Sequence, residues 1–205
     1  MTGYQTMNFT VDIQLENDRA LLRPLTAADV DELENPAADP EIWRYMLSRA
    51  DDRAGVEVYV AEALAAREQK RRYPFVIIHK QTGRVAGSTS YYNVVAEDGR
   101  LSIGYTWIGC DFQRTGLNRA AKHLLLQYAF DELGCERVEL ETDARNQKSQ
   151  NAMRQMGATE EGTLRSHRLT QGGIRRDTVI FSIIRSEWPA LRQRVFGAFD
   201  QHARG

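Results

Sequence analysis

The sequence predicts one α+β domain with a largely antiparallel sheet and helices on both sheet faces. The element order is the first sign: hairpin, short helices, three-strand meander, long amphipathic helix, strand, helix and final hairpin. A doubly wound sheet would instead alternate strands and helices throughout. The second sign is the strand from Leu101 to Ile108. There Leu101, Ile103, Tyr105 and Trp107 share one face, and Ser102, Gly104, Thr106 and Ile108 share the other. Both sets are fairly apolar, so both need cover. Third, 205 residues with 42% apolar content can bury a sizeable single core.

Taken in order, Thr10 to Leu15, the turn Asn17-Asp18, and Ala20 to Leu25 alternate as a hairpin. Thr26-Ala27-Ala28-Asp29 has capping-box spacing and opens a short helix to about Leu33. Asn35-Pro36 is expected to end it, because a residue before proline is pushed away from helical geometry. Pro40 opens the next short helix, carrying Ile42, Trp43 and Met46. From Gly55 to Arg71, Val56, Val60, Ala63 and Leu64 recur at helical spacing. Lys70, Arg71 and Arg72 are read as solvated cations closing that helix, where they complement its dipole.

Phe75 to His79, Val85 to Asn93 and Leu101 to Ile108 form the meander, with turns at Gln81-Thr82-Gly83 and Asp98-Gly99. The loop from Gly109 to Thr115 leads into a helix from Leu117 to Glu132, with Leu117, Ala121, Leu124, Leu125 and Tyr128 as its buried stripe. Gly134 stands where a C-terminal cap belongs. A strand at Arg137 to Thr142 follows, then a helix from Gln147 to Met156 stopped by Gly157. The final hairpin pairs Thr163 to Leu169 with Ile174 to Ile184 around Gln171-Gly172-Gly173. One domain over 1–190 is expected, with 191–205 a terminal helix or tail that frays by His202.

Composition excludes several function classes. Lys and Arg number 27 against 28 Asp and Glu, so a generally basic nucleic-acid binder is excluded. A charged fraction of 27% with ordinary aromatic content is that of a folded chain. The longest apolar runs, Phe75 to Ile78 and the neighbourhood of Leu124 to Leu126, fall far short of the roughly 18 residues of a membrane span. Met1 to Asp12 lacks a basic start and an apolar stretch, so no signal peptide is expected there. Cys110 and Cys135 cannot form a metal framework. Reduced thiols are expected, with a disulfide the alternative on paper. The sequon Asn8-Phe9-Thr10 is then moot. These bounds describe a cytoplasmic enzyme without a metal.

The most informative segment is Phe112-Gln113-Arg114-Thr115-Gly116-Leu117-Asn118-Arg119, between a strand and a helix. A helix start leaves backbone N–H groups without partners and carries a partial positive charge. Gly116 lets the backbone approach a ligand, and Arg114 and Arg119 add full charges, which together suit a pyrophosphate. A strand, a one-glycine loop and a helix also make an ordinary connector, and these residues alone leave both readings open. Other phosphate loops are excluded: there is no Gly-Lys pair for a Walker loop and only one glycine for a dinucleotide fingerprint. The zinc-protease spacing and the Gly-x-Ser-x-Gly elbow are missing too.

Several strings together resemble the GNAT N-acetyltransferase superfamily. They are Ile103-Gly104-Tyr105, Gln113-Arg114-Thr115-Gly116-Leu117-Asn118, Asn146-Gln147-Lys148-Ser149, Gly157-Ala158, Glu161-Gly162, and Arg176-Asp177 leading into Phe181-Ser182. Within it the pattern is closest to the ribosomal-protein N-terminal acetyltransferases acting on alanine or serine, and it spans Ala20 to Trp188. The resemblance implies a twisted mixed, mostly antiparallel sheet. In it the strand from Leu101 and that from Arg137, fourth and fifth in the family's count, splay around acetyl-CoA. It places the pyrophosphate on Gln113, Arg114, Thr115, Gly116, Leu117, Asn118 and Arg119, and the pantetheine beside the backbone of Trp107 and Ile108. Asn118 stands where the family often has a second glycine.

Acetyl transfer to an amine needs a deprotonated nucleophile, a stabilised oxyanion and a protonated leaving thiolate. An α-amino group, pKa near 8, is easier to deprotonate than a lysine near 10.4. The resemblance makes Ser149 the acid at the thiolate and Asn146 a ligand of the pantetheine arm. The local alternative is a helix cap at Asn146 with Ser149 a first-turn polar residue. The base is not obvious: the carboxylate that many relatives carry falls on Ser102 or, in some of the ribosomal type, on Arg168. His167 has a suitable intrinsic pKa but neighbours Arg168. Glu139 and Glu141 share a strand face and are read as acting through water or as a solvated edge. Arg165, Arg168, Arg175 and Arg176 are read as a solvated face paired with Glu160, Glu161 and Asp177, or as a docking patch for an anion. Trp43, Tyr45 and Met46 line the acceptor groove on the resemblance, and are equally suited to the core. The expected partners are acetyl-CoA as cosubstrate, no metal, and an amine acceptor, either a protein N-terminus or a small molecule. Neither membrane nor nucleic acid is expected to bind directly, and a homodimer is left open. A catalytically weak acyl-CoA-binding sensor or scaffold is the alternative function.

Overall fold

The computed structural model describes residues 4–170 and 172–200. Its centre is an eight-stranded sheet in the order β1-β2-β3-β4-β5-β6-β8-β7. The strands are β1 Leu15–Glu16, β2 Ala20–Pro24, β3 Arg72–His79, β4 Arg84–Val95, β5 Arg100–Ile108, β6 Arg137–Asp143, β7 Thr159–Leu169 and β8 Arg175–Ile184. Every pairing is antiparallel except β5 with β6. The helices are α1 Val30–Ala37, α2 Pro40–Trp43, α3 Arg53–Glu68, α4 Leu117–Gln127, α5 Gln147–Gln155 and α6 Trp188–Asp200. The larger core, under α4 and α6, holds Phe75, Tyr91, Ile103 and Leu125. The smaller, under α1 and α3, holds Leu33, Tyr59, Val76 and Trp107. The α+β sheet with helices on both faces is therefore as the sequence predicts. No helix among the described residues is long and apolar enough to cross a membrane.

Several local expectations shift, each for a visible reason. The first strand is only two residues long, because side chains satisfy the backbone before it. Tyr73 Oη donates to Val11 O (2.7 Å) and accepts from Ile13 N (2.8 Å), and Arg67 Nε donates to Phe9 O (3.0 Å). The capping box forms, with Asp29 accepting from Thr26 N (2.7 Å) while Arg23 grips the same carboxylate. Pro36 does not stop α1; it sits in the last turn, where its missing N–H costs one bond, and Trp43 Nε1 donates to the terminal Ala37 carbonyl (2.8 Å). The expected α4 runs on as a π-helical turn, Tyr128–Glu132, before Gly134 at φ 73°. Residues Gln171 and His202, in the expected turn and tail, lie outside the described residues. The terminal helix begins at Trp188 and buries Leu191 and Phe196 in the larger core.

The main correction concerns β5. Ser88 pairs with Trp107 and Ser90 with Gly104, so Thr89 alone faces Tyr105 and Thr106. That extra residue is a β-bulge, with Tyr105 at φ 52°. It inverts the alternation beyond it. Leu101 and Ile103 enter the larger core, whereas Trp107 joins the smaller one, not the face it was expected to share with them. Gly87 fixes the end of this pairing: a Cβ there would lie 2.1 Å from the Trp107 carbonyl oxygen. Gly87→Ala is expected to lose about 1–3 kcal/mol of stability by overpacking, measured by urea unfolding.

Candidate active site

The first turn of α4 gathers unpartnered N–H groups. Gly116 caps it in the left-handed region at φ 87°, and Arg114 before it is left-handed too at φ 62°. Thr115 Oγ1 donates to Phe112 O (2.7 Å), and Arg19 Nη1 holds the Thr115 carbonyl (3.0 Å), so the loop is braced from both sides. Ala120 N donates to Gly116 O (3.0 Å), whereas the amides of Arg114, Thr115, Gly116, Asn118 and Arg119 have no backbone acceptor among the described residues. Arg114 and Arg119 are exposed and carry no ion pair among those residues. Helix dipole, free amides and two open cations therefore coincide at one point.

A gap opens beside this turn. β5 and β6 pair only through Arg100↔Arg137, Leu101↔Val138 and Ser102↔Glu139, after which no strand among the described residues covers the edge of β5 from Ile103 to Ile108. Gly109 N donates to Ala86 O (2.8 Å), which makes Gly87↔Ile108 a non-hydrogen-bonded pair. The Ile108 N–H and C=O thus point to the open edge, as do those of Thr106 by strand alternation. Trp107 turns its backbone toward β4 instead, so Ile108 is the better placed of the two residues expected to meet pantetheine. The Ile108 carbonyl already accepts from Gln113 Nε2 (3.0 Å), and Gln113 Oε1 accepts from Lys148 Nζ on α5 (2.6 Å).

Asn146 caps α5, its Oδ1 accepting from Ser149 N (3.0 Å). The capping role is real, yet it leaves Asn146 Nδ2 and Ser149 Oγ without a partner among the described residues. His167 is exposed on the edge strand β7, beside a bulge at Ser166 (φ 50°), and makes no side-chain bond among them. Its neighbour Arg168 reaches across to β6. Arg168 Nη2 (3.4 Å) and the buried Arg176 Nη2 (3.6 Å) both approach Glu141 Oε1. This corrects the expected arginine pairing: Glu160 goes to Arg154, Glu161 to Arg137, and Asp177 accepts from Ser166 N. Glu139 is paired with Arg137 (2.8 Å) and, like Glu141, is no open solvated edge. A cleft of about 210 Å³ lies between α2 and the β7–β8 hairpin, lined by Pro40, Trp43, Met46, Arg145 and Ile174 among others. Trp43 is also core, in a ring cluster with Tyr59 and Trp107.

Two buried cations here escaped the sequence reading. Arg72 is not a solvated helix cap. It belongs to β3, is 6% exposed, lies 3.9 Å over the Tyr105 ring and donates to Ser90 Oγ (2.8 Å) and Tyr59 Oη (2.7 Å). Lys122 on α4 is 5% exposed, and its Nζ donates to Thr106 Oγ1 on the bulge (2.8 Å). Thr106 in turn shares a hydrogen bond with Thr89 (2.8 Å). Burial alone pushes the Lys122 pKa down to about 7. The available signal was a Lys-His pair set between Ala120-Ala121 and Leu124 to Leu126.

A mostly antiparallel sheet parted at one parallel pair, with a helix N-terminus at the parting, is an arrangement of the N-acetyltransferase class of folds. The acetyltransferase (GNAT) domain family model matches residues 19–159, and the chain belongs to that family. It is 28% identical to the Bacillus licheniformis protein named "Uncharacterized N-acetyltransferase p20", over 85% of this chain and 97% of that one. It is 34% identical to the Bacillus subtilis "Putative ribosomal N-acetyltransferase YdaF" over 52% of this chain and 57% of that one. The solved GCN5-related N-acetyltransferase of Brucella melitensis superposes with a TM-score of 0.88 at 28% identity, covering 98% of this chain and 90% of that one.

Lys122 gives stability a definite pH dependence. Its folded pKa of about 7 lies below the ordinary 10.5, so between those values the unfolded chain binds more protons. Stability therefore rises with pH across that window, by up to ~1.4 kcal/mol per unit, and the burial cost is fully present below about 7. Lys122→Met is expected to be more stable than wild type at pH 6.5, with the difference shrinking toward pH 9 in urea titrations.

Proposed function

We propose that the chain transfers an acetyl group from acetyl-CoA to a primary amine, either a protein N-terminal α-amino group or a small amine. The observation that carries this is the coincidence of the open β5 edge with the free amides of the α4 turn. A pyrophosphate fits those amides and the Arg114 and Arg119 charges, and an amide-bearing arm fits the open groups of Thr106 and Ile108. The thioester, when bound, supplies the activated acyl group.

The chain's own groups then divide the work. Gln113, Arg114, Thr115, Gly116, Leu117, Asn118 and Arg119 hold the phosphates, with Lys148 tying Gln113 to α5. The Thr106 and Ile108 N–H groups point where a carbonyl oxygen gains charge during transfer, and such a donor contributes about 3 kcal/mol. Asn146 Nδ2 binds the arm, and Ser149 Oγ hands a proton to the leaving sulfur. For the base, Glu141 acting through water is better placed than His167, because the side chain of Arg168, next to His167, reaches toward Glu141. The cleft beside Trp43 and Met46 receives the acceptor. The likeness to YdaF favours an N-terminal α-amine of the ribosomal type, which carries a cytoplasmic location with it.

One observation favours a second reading, an acyl-CoA-binding sensor or scaffold: two arginines approach Glu141 Oε1 and occupy the oxygen that would take the proton. A thiol-release assay with acetyl-CoA and a panel of peptides and polyamines separates the two. The enzyme reading expects free CoA with at least one acceptor, and a drop of about 10²-fold in kcat for Ser149→Ala at saturating acetyl-CoA. Tight acetyl-CoA binding without turnover across the panel would contradict it in favour of the sensor, and normal turnover by Ser149→Ala would remove Ser149 as the acid.

A further inference from the structure

Lys122 is an amine in the wrong place for a structural residue. It is 5% exposed, and no carboxylate lies near enough to offset its charge, since burial is the sole cause of its depressed pKa. Its one hydrogen-bond partner is the Thr106 hydroxyl (2.8 Å), which leaves its remaining hydrogens without an acceptor among the described residues. The buried side chains beside it on α4 are Ala120, Ala121, Leu124, Leu125 and Leu126, with His123 the one other polar residue buried there. A methionine, unbranched and one atom shorter, would bury there without desolvating a charge.

The position of the amine says what completes it. Thr106 belongs to the β-bulge, in the stretch of β5 whose far edge has no strand partner. Lys122 lies on the same helix as Asn118, one turn further from the free amides of the first turn. A ligand with its anionic end on those amides and an extended arm along β5 would pass the bulge, where Nζ stands. Charge alone does not explain Lys122, because the anionic end is a helical turn away. An uncharged acceptor in the arm does.

We propose that Lys122 is a cofactor-arm residue, donating to a carbonyl oxygen of the thioester-bearing arm of acyl-CoA at the bulge while Thr106 holds it in place. This rests on the acyl-CoA reading above and adds to it a binding contact made by a side chain of α4. The contact selects the arm and thioester, not the nucleotide.

The test compares acetyl-CoA with adenosine 3′,5′-diphosphate, which carries phosphates but no arm, by titration calorimetry on the full chain. Lys122→Met is expected to weaken acetyl-CoA roughly tenfold or more, the scale of one charge-assisted hydrogen bond. Its affinity for the diphosphate is expected to match wild type, and its melting temperature to equal or exceed it. Unchanged acetyl-CoA affinity overturns the proposal, and so does equal weakening of both ligands or a lowered melting temperature, which mark a structural role. In wild-type protein with ¹⁵Nζ-labelled lysines, the Lys122 amine resonance is expected to move with acetyl-CoA and not with the diphosphate, and a resonance that stays still overturns the proposal without any variant. A wild type that binds neither ligand overturns the acyl-CoA reading and this inference together.

Discussion

The parting of β5 from β6 is the constraint on which the rest of the site depends. Three residue pairs hold the only parallel ladder among the described residues, and beyond Ser102 the edge of β5 faces no strand among them. An unpaired edge within a sheet is costly unless something else satisfies its backbone groups. Here Gln113 takes the Ile108 carbonyl, and the remaining groups stay open toward a ligand. The crossover from β5 to β6 passes through α4, so the same break that opens the edge also delivers a helix N-terminus to its end. Gap and open helix N-terminus are two results of one topology.

The bulge at Tyr105 and Thr106 is the second consequence. Without it, Trp107 would face α4 and leave the ring cluster with Trp43 and Tyr59. With it, the strand serves both cores, and Thr106 turns its hydroxyl to Lys122. A close-packed backbone keeps the bulge in register, since Gly87 admits no side chain beside Trp107. The opposite face carries its own buried cations, Arg72 over Tyr105 and Arg176 beside Glu141. The near-neutral total of the chain thus conceals charges concentrated around one strand.

Much of this was legible in the sequence where the signal is local. Thr26 with Asp29 and Asn146 before α5 each announced a helix start through the chemistry of a cap. The loop Gln113 to Asn118 was legible because free amides, glycine and cations must be adjacent in sequence to act together. What stayed hidden depends on residues far apart. Period-two reading of β5 assumes no extra residue, and the bulge appears only once β4 is laid beside it. Arg72 looked like a helix cap because its partners, Ser90 and Tyr105, are on other strands. Glu141 looked solvated because Arg168 and Arg176 reach it only after the final hairpin folds onto β6.

The central claim is that the open β5 edge and the α4 turn form one acyl-CoA site. Hydrogen–deuterium exchange with and without acetyl-CoA tests it most directly. The account predicts slowed exchange in peptides covering 104–119, at the amides of Thr106, Ile108 and the Arg114 to Arg119 turn, with β2 and β3 unchanged. Protection confined to other segments, or none at saturating acetyl-CoA, would contradict it.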